Sequence, residues 1–102
     1  MTTPGDNGEL LLAAIVEMVP GSAEAGQQYE DAVLSLLGRH GGSLERRVRG
    51  MDRATEVHLI RFRSRDGYES FLADPDRLDH RARAGEAAPT ARVLEVRETE
   101  AT

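Results

Sequence analysis

The chain has 102 residues, of which 39% are hydrophobic and only 4% aromatic, so it has room for one domain with a small core. A formal net charge of −5 argues against a nucleic-acid partner, because phosphate binding needs a basic surface. The sequence contains neither a cysteine nor a run of about 18 apolar residues, so disulfides, thiolate chemistry and a membrane span are excluded and we expect a cytoplasmic protein.

The first part of the chain predicts a strand followed by a helix. Residues 1–8 are polar and show no apolar period, so we expect a disordered leader there. Residues 9–17 form a continuous apolar run with β-branched side chains near its end, which is typical of a strand buried on both faces. Ser22 is placed to begin a helix, and Gly41 and Gly42 are placed to end it. The stripe of this helix that would face the core consists of Tyr29, Val33, Leu36, Leu37 and His40.

Two further strands are predicted after this helix. Residues 43–51 alternate between a charged side and a more apolar side, as an edge strand would. The charged row contains Glu45, Arg47 and Arg49, and the other side contains Leu44 and Val48. After a tight turn, residues 55–63 form a third strand that is again apolar on both sides.

The last part of the chain predicts two short helices and a fourth strand. Ser64 is placed to cap a helix over residues 65–73, and an Asp-Pro step then leads into a shorter helix over residues 76–84. Residues 90–98 form the fourth strand, and residues 99–102 form a short polar tail.

The order of these elements over residues 9–98 is βαββαβ, which predicts a ferredoxin-like α+β domain with a four-stranded antiparallel sheet. The first and third strands are central in this fold, in agreement with their apolar character on both faces. The helices cover only one face of such a sheet, so the other face would be left as a large apolar patch. We therefore predict a homodimer in which two sheets pack face to face.

The sequence also resembles small uncharacterised families of the dimeric α/β-barrel superfamily. The features shared with them are Tyr29 in the first helix, the Gly41-Gly42 helix stop, Phe62 and Ser64 at the end of a strand, and the Asp74-Pro75 break. The common Glu-Phe-Pro-Ser sequence of these families reads Arg-Phe-Arg-Ser here, so any role of that glutamate is missing. The resemblance implies a dimeric α/β barrel, related in fold to cofactor-independent antibiotic-biosynthesis monooxygenases, polyketide cyclases and haem proteins.

Three residues are candidates for a catalytic site. His58 lies in the third strand and shares a side with Ile60 and Phe62, so it points into the space under the helices if that side is the covered one. A neutral imidazole there would act as a general base, whereas a structural histidine would be bonded to a carbonyl or a carboxylate. Tyr29 and Tyr68 lie on the inward stripes of their helices, where a phenol either orients a substrate or adds core volume.

Two arginines are candidates for ligand binding. Arg47 belongs to the charged row of the second strand, which would bind a carboxylate or phosphate or would form a solvated edge. Arg61 shares a side with Val57 and Leu59 and needs a carboxylate partner if that side meets a second copy. We expect this partner to be Glu17, Glu56 or Glu95.

We predict neither a metal site nor a cofactor. The spacing of His40, His58 and His80 matches no local ligand motif, and no phosphate-binding loop or Rossmann glycine pattern is present. We expect His40 to complement the end of its helix and His80 to be solvated.

Two functions are compatible with these residues. The first is a non-catalytic or accessory protein that binds a small, apolar, oxygenated molecule, because every polar candidate has an adequate structural role. The alternative is a cofactor-independent monooxygenase or cyclase acting on a polyketide-like substrate, with His58 and a tyrosine transferring protons.

Overall fold

The computed structural model describes residues 8–100 of the chain. The predicted leader lies outside the described residues except for Gly8, and so do the last two residues of the predicted tail. The elements are β1 (Leu10–Glu17), α1 (Ala23–Leu34), β2 (Gly42–Arg49), β3 (Thr55–Phe62), α2 (Arg65–Leu72), α3 (Pro75–Ala84) and β4 (Thr90–Glu95). None of the helices in residues 8–100 is both long enough and apolar enough to cross a bilayer.

The four strands form one antiparallel sheet in the order β2-β3-β1-β4. This order confirms the ferredoxin-like α+β fold and the prediction that the first and third strands are central. Helices α1, α2 and α3 cover one face, where nine buried residues form the main core. They are Leu10, Leu12, Tyr29, Val33, Leu36, Leu37, Ile60, Phe62 and Phe71.

The first helix is shorter than predicted. Helix α1 ends at Leu34, and residues Leu37–His40 form a separate 3₁₀ turn that ends at Gly41, whose φ is +72°. The Ser35 hydroxyl donates a hydrogen bond of 2.6 Å to the carbonyl of Ala32 and so competes with the helical hydrogen bonds at this point. The chain then tightens into i−3 bonding without losing its inward stripe, since Leu36 and Leu37 are both buried.

The predicted caps differ in their outcome. Ser64 caps α2 as predicted, because its hydroxyl accepts a hydrogen bond from the amide of Gly67 at 3.0 Å. Ser22 occupies the N-cap position of α1, but its side chain makes no capping hydrogen bond. Asp74 caps α3 by accepting from the amide of Asp76 at 2.9 Å.

The prediction that Leu44 and Val48 share one face of the sheet is wrong. Leu44 pairs with Ile60, whereas the next paired residue, Arg46, lies opposite Leu59. The extra residue between them is a β-bulge, which shifts the alternation of side chains by one position. Leu44 therefore lies on the helix-covered face and Val48 on the other.

The second face of the sheet carries apolar side chains without a covering helix. This uncovered face includes Ile15 and Val57, which are paired across β1 and β3, and Leu94, which lies opposite Ala13 on β4. The exposed fraction is 38% for Val57 and 37% for Leu94, and 46% for Val48 on the edge strand. The inner strands thus present apolar residues on both faces, as the sequence predicts.

Candidate functional site

A pocket of about 100 Å³ lies between the helix-covered face of the sheet and the three helices. His58 of β3, Tyr29 of α1 and Tyr68 of α2 all line it. The three predicted catalytic candidates, which are far apart in the sequence, therefore meet at one cavity. Most of the remaining wall consists of apolar core residues such as Leu12 and Ile60.

His58 is almost completely buried and is held by a carboxylate. Its Nε2 lies 2.8 Å from Oε1 of Glu56, and its Nδ1 lies 3.9 Å from Oε1 of Glu30. Because the Glu56 carboxylate can only accept, we assign the imidazole proton to Nε2. Burial lowers the pKa of His58, although the hydrogen bond to Glu56 opposes this effect. The imidazole is therefore neutral near pH 7, with Nδ1 free to accept a proton.

Glu56 is fully buried and is the centre of a charged network. Nε of Arg47 and Nε of Arg49 each donate to its carboxylate at 2.8 Å, in addition to the bond from His58. Burial by itself raises the pKa of Glu56, but the hydrogen bonds from these three residues outweigh it and lower the pKa to about 2. Glu56 therefore stays ionised and fixes the orientation of the His58 ring, as a carboxylate does behind a catalytic histidine.

Arg47 lies on the helix-covered face opposite His58, although it does not line the pocket. Its Nη1 donates to Asp31 at 2.6 Å while its Nε donates to Glu56. Because structural carboxylates occupy these donors, the structure gives Arg47 a role in holding Glu56. Its predicted role in ligand binding stays a prediction.

Arg61 lies on the uncovered face of the sheet, on the opposite side from this pocket. It lines a separate surface groove and donates to Glu45 at 2.7 Å, to Glu9 at 2.8 Å and to Glu98 at 2.7 Å. The predicted need for a carboxylate is met, but the expected partners Glu17, Glu56 and Glu95 are wrong. Glu45 lies beside Arg61 because it follows by two residues Ser43, the residue that pairs with Arg61.

Glu30 is a pocket residue that the sequence analysis missed. It lies in α1, is only 8% exposed and lines the cavity. Burial and the negative charge of Glu56 raise its pKa to about 7, against the opposing charges of Arg47, Arg77 and Arg81. A signal was available, because Glu30 lies one helical turn before Val33 on the inward stripe.

The other two histidines are outside the pocket. His40 bonds through Nε2 to Asp74 at 2.7 Å and through Nδ1 to Ser70 at 2.8 Å, so it ties the 3₁₀ turn to α2 and to the start of α3. This contact replaces the simple helix-end role predicted for it. His80 is half-buried rather than fully solvated. Within residues 8–100 no group of three or more ligating side chains could hold a metal ion.

The fold and the pocket together define a class of protein: a ferredoxin-like domain with a largely apolar cavity between sheet and helices. No protein-family model matches the chain, and no curated protein matches it. Several solved structures, in contrast, are similar to this chain. SnoaB of Streptomyces nogalater, a cofactor-independent oxygenase solved in a mutant form, is 19% identical with a TM-score of 0.70, covering 92% of this chain and 96% of its own.

Two further solved structures show the same likeness. Rv0793 of Mycobacterium tuberculosis is 22% identical with a TM-score of 0.67, covering 92% of this chain and 99% of its own. A presumed antibiotic biosynthesis monooxygenase of Bacteroides thetaiotaomicron is 12% identical with a TM-score of 0.73, and the match covers 89% of this chain and 90% of the other. At these identities the likeness establishes the fold, and it confirms the resemblance to antibiotic-biosynthesis monooxygenase-like proteins inferred from the sequence.

Proposed function

We propose that the pocket binds a small, largely apolar, oxygenated molecule and that His58 removes a proton from it in a cofactor-independent oxygenation. The observation that carries this proposal is the His58–Glu56 pair at the floor of an apolar cavity. Glu56 holds Nε2–H, so the unprotonated Nδ1 is the atom that accepts the proton. The fold shared with SnoaB, a cofactor-independent oxygenase, supports the same reaction class.

Such a reaction needs no redox cofactor because the substrate supplies the electrons. Removal of a proton from a CH₂ group next to a carbonyl or an aromatic ring leaves a carbanion. Dioxygen accepts the electron pair and bonds to this carbon as a peroxide. Loss of the second C–H proton and cleavage of the O–O bond then give a carbonyl and one water, so R₂CH₂ and O₂ become R₂C=O and H₂O. The proton taken by His58 returns to the leaving oxygen.

A second candidate function is binding without turnover. It is favoured by the engagement of Glu56 with Arg47 and Arg49, since a network of this kind also stabilises a core without any chemistry. Under this proposal the same pocket holds the same class of ligand, and His58 only completes the network.

Proton exchange separates the two functions. The probe is 2-indanone, a small ketone with acidic C–H groups, incubated with the protein in D₂O and followed by NMR. Under the catalytic proposal the chain accelerates exchange, and His58→Gln, which keeps a donor toward Glu56, reduces the acceleration by about 100-fold or more. His80→Gln is the matched control, because His80 does not line the pocket. Binding of 2-indanone without accelerated exchange would instead support the non-catalytic function.

We also propose that the chain forms a homodimer through its uncovered sheet face. This face carries Ile15, Val57 and Leu94 on neighbouring strands, and leaving such a patch in water is unfavourable. Arg61 lies on the same face and is already paired with three carboxylates, so packing against a second copy would not leave its charge unpaired.

A further inference from the structure

Two arginines of α3 line the pocket one helical turn apart. Arg77 is half-buried, and its guanidinium carbon lies 5.4 Å from the centre of the Phe71 ring. Its Nη1 donates to the carbonyl of Leu72 at 3.1 Å, and Nη1 of Arg81 donates to the carbonyl of Pro89 at 3.4 Å. Both side chains are therefore fixed by backbone carbonyls and leave other N–H groups available beside the cavity.

Unlike Arg47 and Arg49, these two arginines have no carboxylate partner. Arg47 pairs with the buried carboxylate of Glu56, whereas neither Arg77 nor Arg81 has a carboxylate oxygen within 4 Å in the described part of the chain. The Nε of Arg77 is buried and has no hydrogen-bond partner among residues 8–100. A buried donor without a partner is unfavourable and uncommon, so it indicates a group that the protein chain itself does not supply.

The acidic residue that lines the pocket together with this pair does not neutralise it. Glu30 shares the pocket with Arg77 and Arg81 and feels the charge of both. Burial nevertheless keeps it largely protonated below pH 7. The wall of the cavity formed by α3 thus carries two positive charges facing a neutral or weakly charged opposite wall.

We infer that the ligand of this pocket carries an anionic group, a carboxylate or a phosphate ester, that is bound by Arg77 and Arg81. This inference rests on the proposed function, since it concerns the same pocket and the same ligand. Guanidinium groups bind planar carboxylates and phosphates through paired N–H donors, and such charge-assisted hydrogen bonds are the strong ones. The apolar part of the ligand then lies toward the tyrosines and His58.

The size of the cavity limits the rest of the ligand. About 100 Å³ is less than the 150 Å³ or so of an apolar cavity that accommodates benzene, so one ring fits after a small opening of the walls. Suitable probes are 4-hydroxyphenylacetate, its uncharged isostere 4-hydroxyphenylacetamide, and 4-hydroxybenzylphosphonate. The three share the ring and the phenol and differ in the charged group.

The test is a calorimetric titration of the full chain with each probe. We expect at least one of the two anions to bind about 10- to 100-fold more tightly than the amide, which is the usual strength of hydrogen bonds to a charged group. The anion that binds more tightly identifies a carboxylate or a phosphate as the natural group. In Arg77→Gln and in Arg81→Gln the preference for the anion over the amide falls toward onefold.

Arg83→Gln is the matched control. Arg83 lies in the same helix, but it pairs with Asp79 at 2.7 Å and does not line the pocket, so this variant keeps the full preference. If Arg77→Gln fails to fold, Arg81→Gln decides, because Arg81 is exposed and has only a 3.4 Å contact to Pro89.

Two results would overturn the inference while leaving the proposed function intact. One is equal binding of the amide and both anions, and the other is an anion preference that survives in both arginine variants. Failure of all three probes to bind at millimolar concentration would overturn the inference. Binding and exchange of 2-indanone would then show whether the proposed function also fails.

Discussion

Replacement of Glu30 by glutamine should stabilise the protein in a pH-dependent manner. Glu30 is 8% exposed, and its pKa is about 7 in the folded chain against 4.5 for an ordinary glutamate. Between these two values the folded state holds a proton that the unfolded state has released, so the stability of the wild-type chain falls as the pH rises. One pKa unit corresponds to about 1.4 kcal/mol, which gives a total loss of about 3 kcal/mol above pH 7.

The Glu30→Gln chain does not carry this loss, because its amide stays neutral at every pH. Its free energy of unfolding should be close to that of wild type at pH 4.5 and about 3 kcal/mol higher at pH 8.5. The assay is urea unfolding followed by circular dichroism at fixed protein concentration, since the proposed dimerisation would make stability concentration-dependent.

The control for this prediction is Glu69→Gln, in which an exposed carboxylate of α2 is replaced in the same way. It should change the stability by less than about 0.5 kcal/mol, as most surface substitutions do. A difference between Glu30→Gln and wild type that is the same at pH 4.5 and pH 8.5 would show that burial does not hold a proton on Glu30.

Three further outcomes follow from the fold and the charged network. Val57→Asp should convert the proposed dimer into a monomer in sedimentation equilibrium. Leu78→Asp, on an exposed surface of α3, should leave the measured mass unchanged. A wild-type chain that is monomeric at micromolar concentration would refute the dimer. Phe62→Ala should cost about 3 to 5 kcal/mol in urea unfolding, because Phe62 is fully buried, and a loss below 1 kcal/mol would contradict its place in the core. Glu56→Gln should cost about 3 kcal/mol at pH 7, because it removes the buried carboxylate that Arg47 and Arg49 share. That cost should shrink as the pH falls below 4.5, because the Glu56 carboxylate is protonated in the unfolded wild-type chain before it is protonated in the folded one, which lowers the stability of the wild type. A cost that is unchanged at low pH would argue against the ion pairs.

The sequence was sufficient to predict the order of the strands and the place of the main candidates. Apolar periodicity identifies which strands are buried on both faces, and alternation along β3 puts His58 on the same side as Ile60 and Phe62. These patterns are local, so they can be read without knowing the neighbours. The same patterns identify Tyr29 and Tyr68 as inward residues, and all three line one pocket.

Pairing between charged side chains could not be predicted in this way. A bulge between Leu44 and Arg46 moved the residues after it to the opposite faces, so that Arg47 and Arg49 lie on the helix-covered face and reach Glu56. Glu30 was missed because the protonation state of a carboxyl group on an apolar stripe depends on the burial and the charges that other elements bring around it.

The amino-acid sequence by itself thus determined the fold, because the periods of 2.0 and 3.6 residues are set by backbone geometry within each element. Only the tertiary structure decided which charged groups meet, that Glu56 holds His58 and that Arg77 and Arg81 face the cavity without a carboxylate. The physical reason is that electrostatic interactions depend on distances between elements remote in the chain, and those distances are fixed only when the sheet and the helices pack.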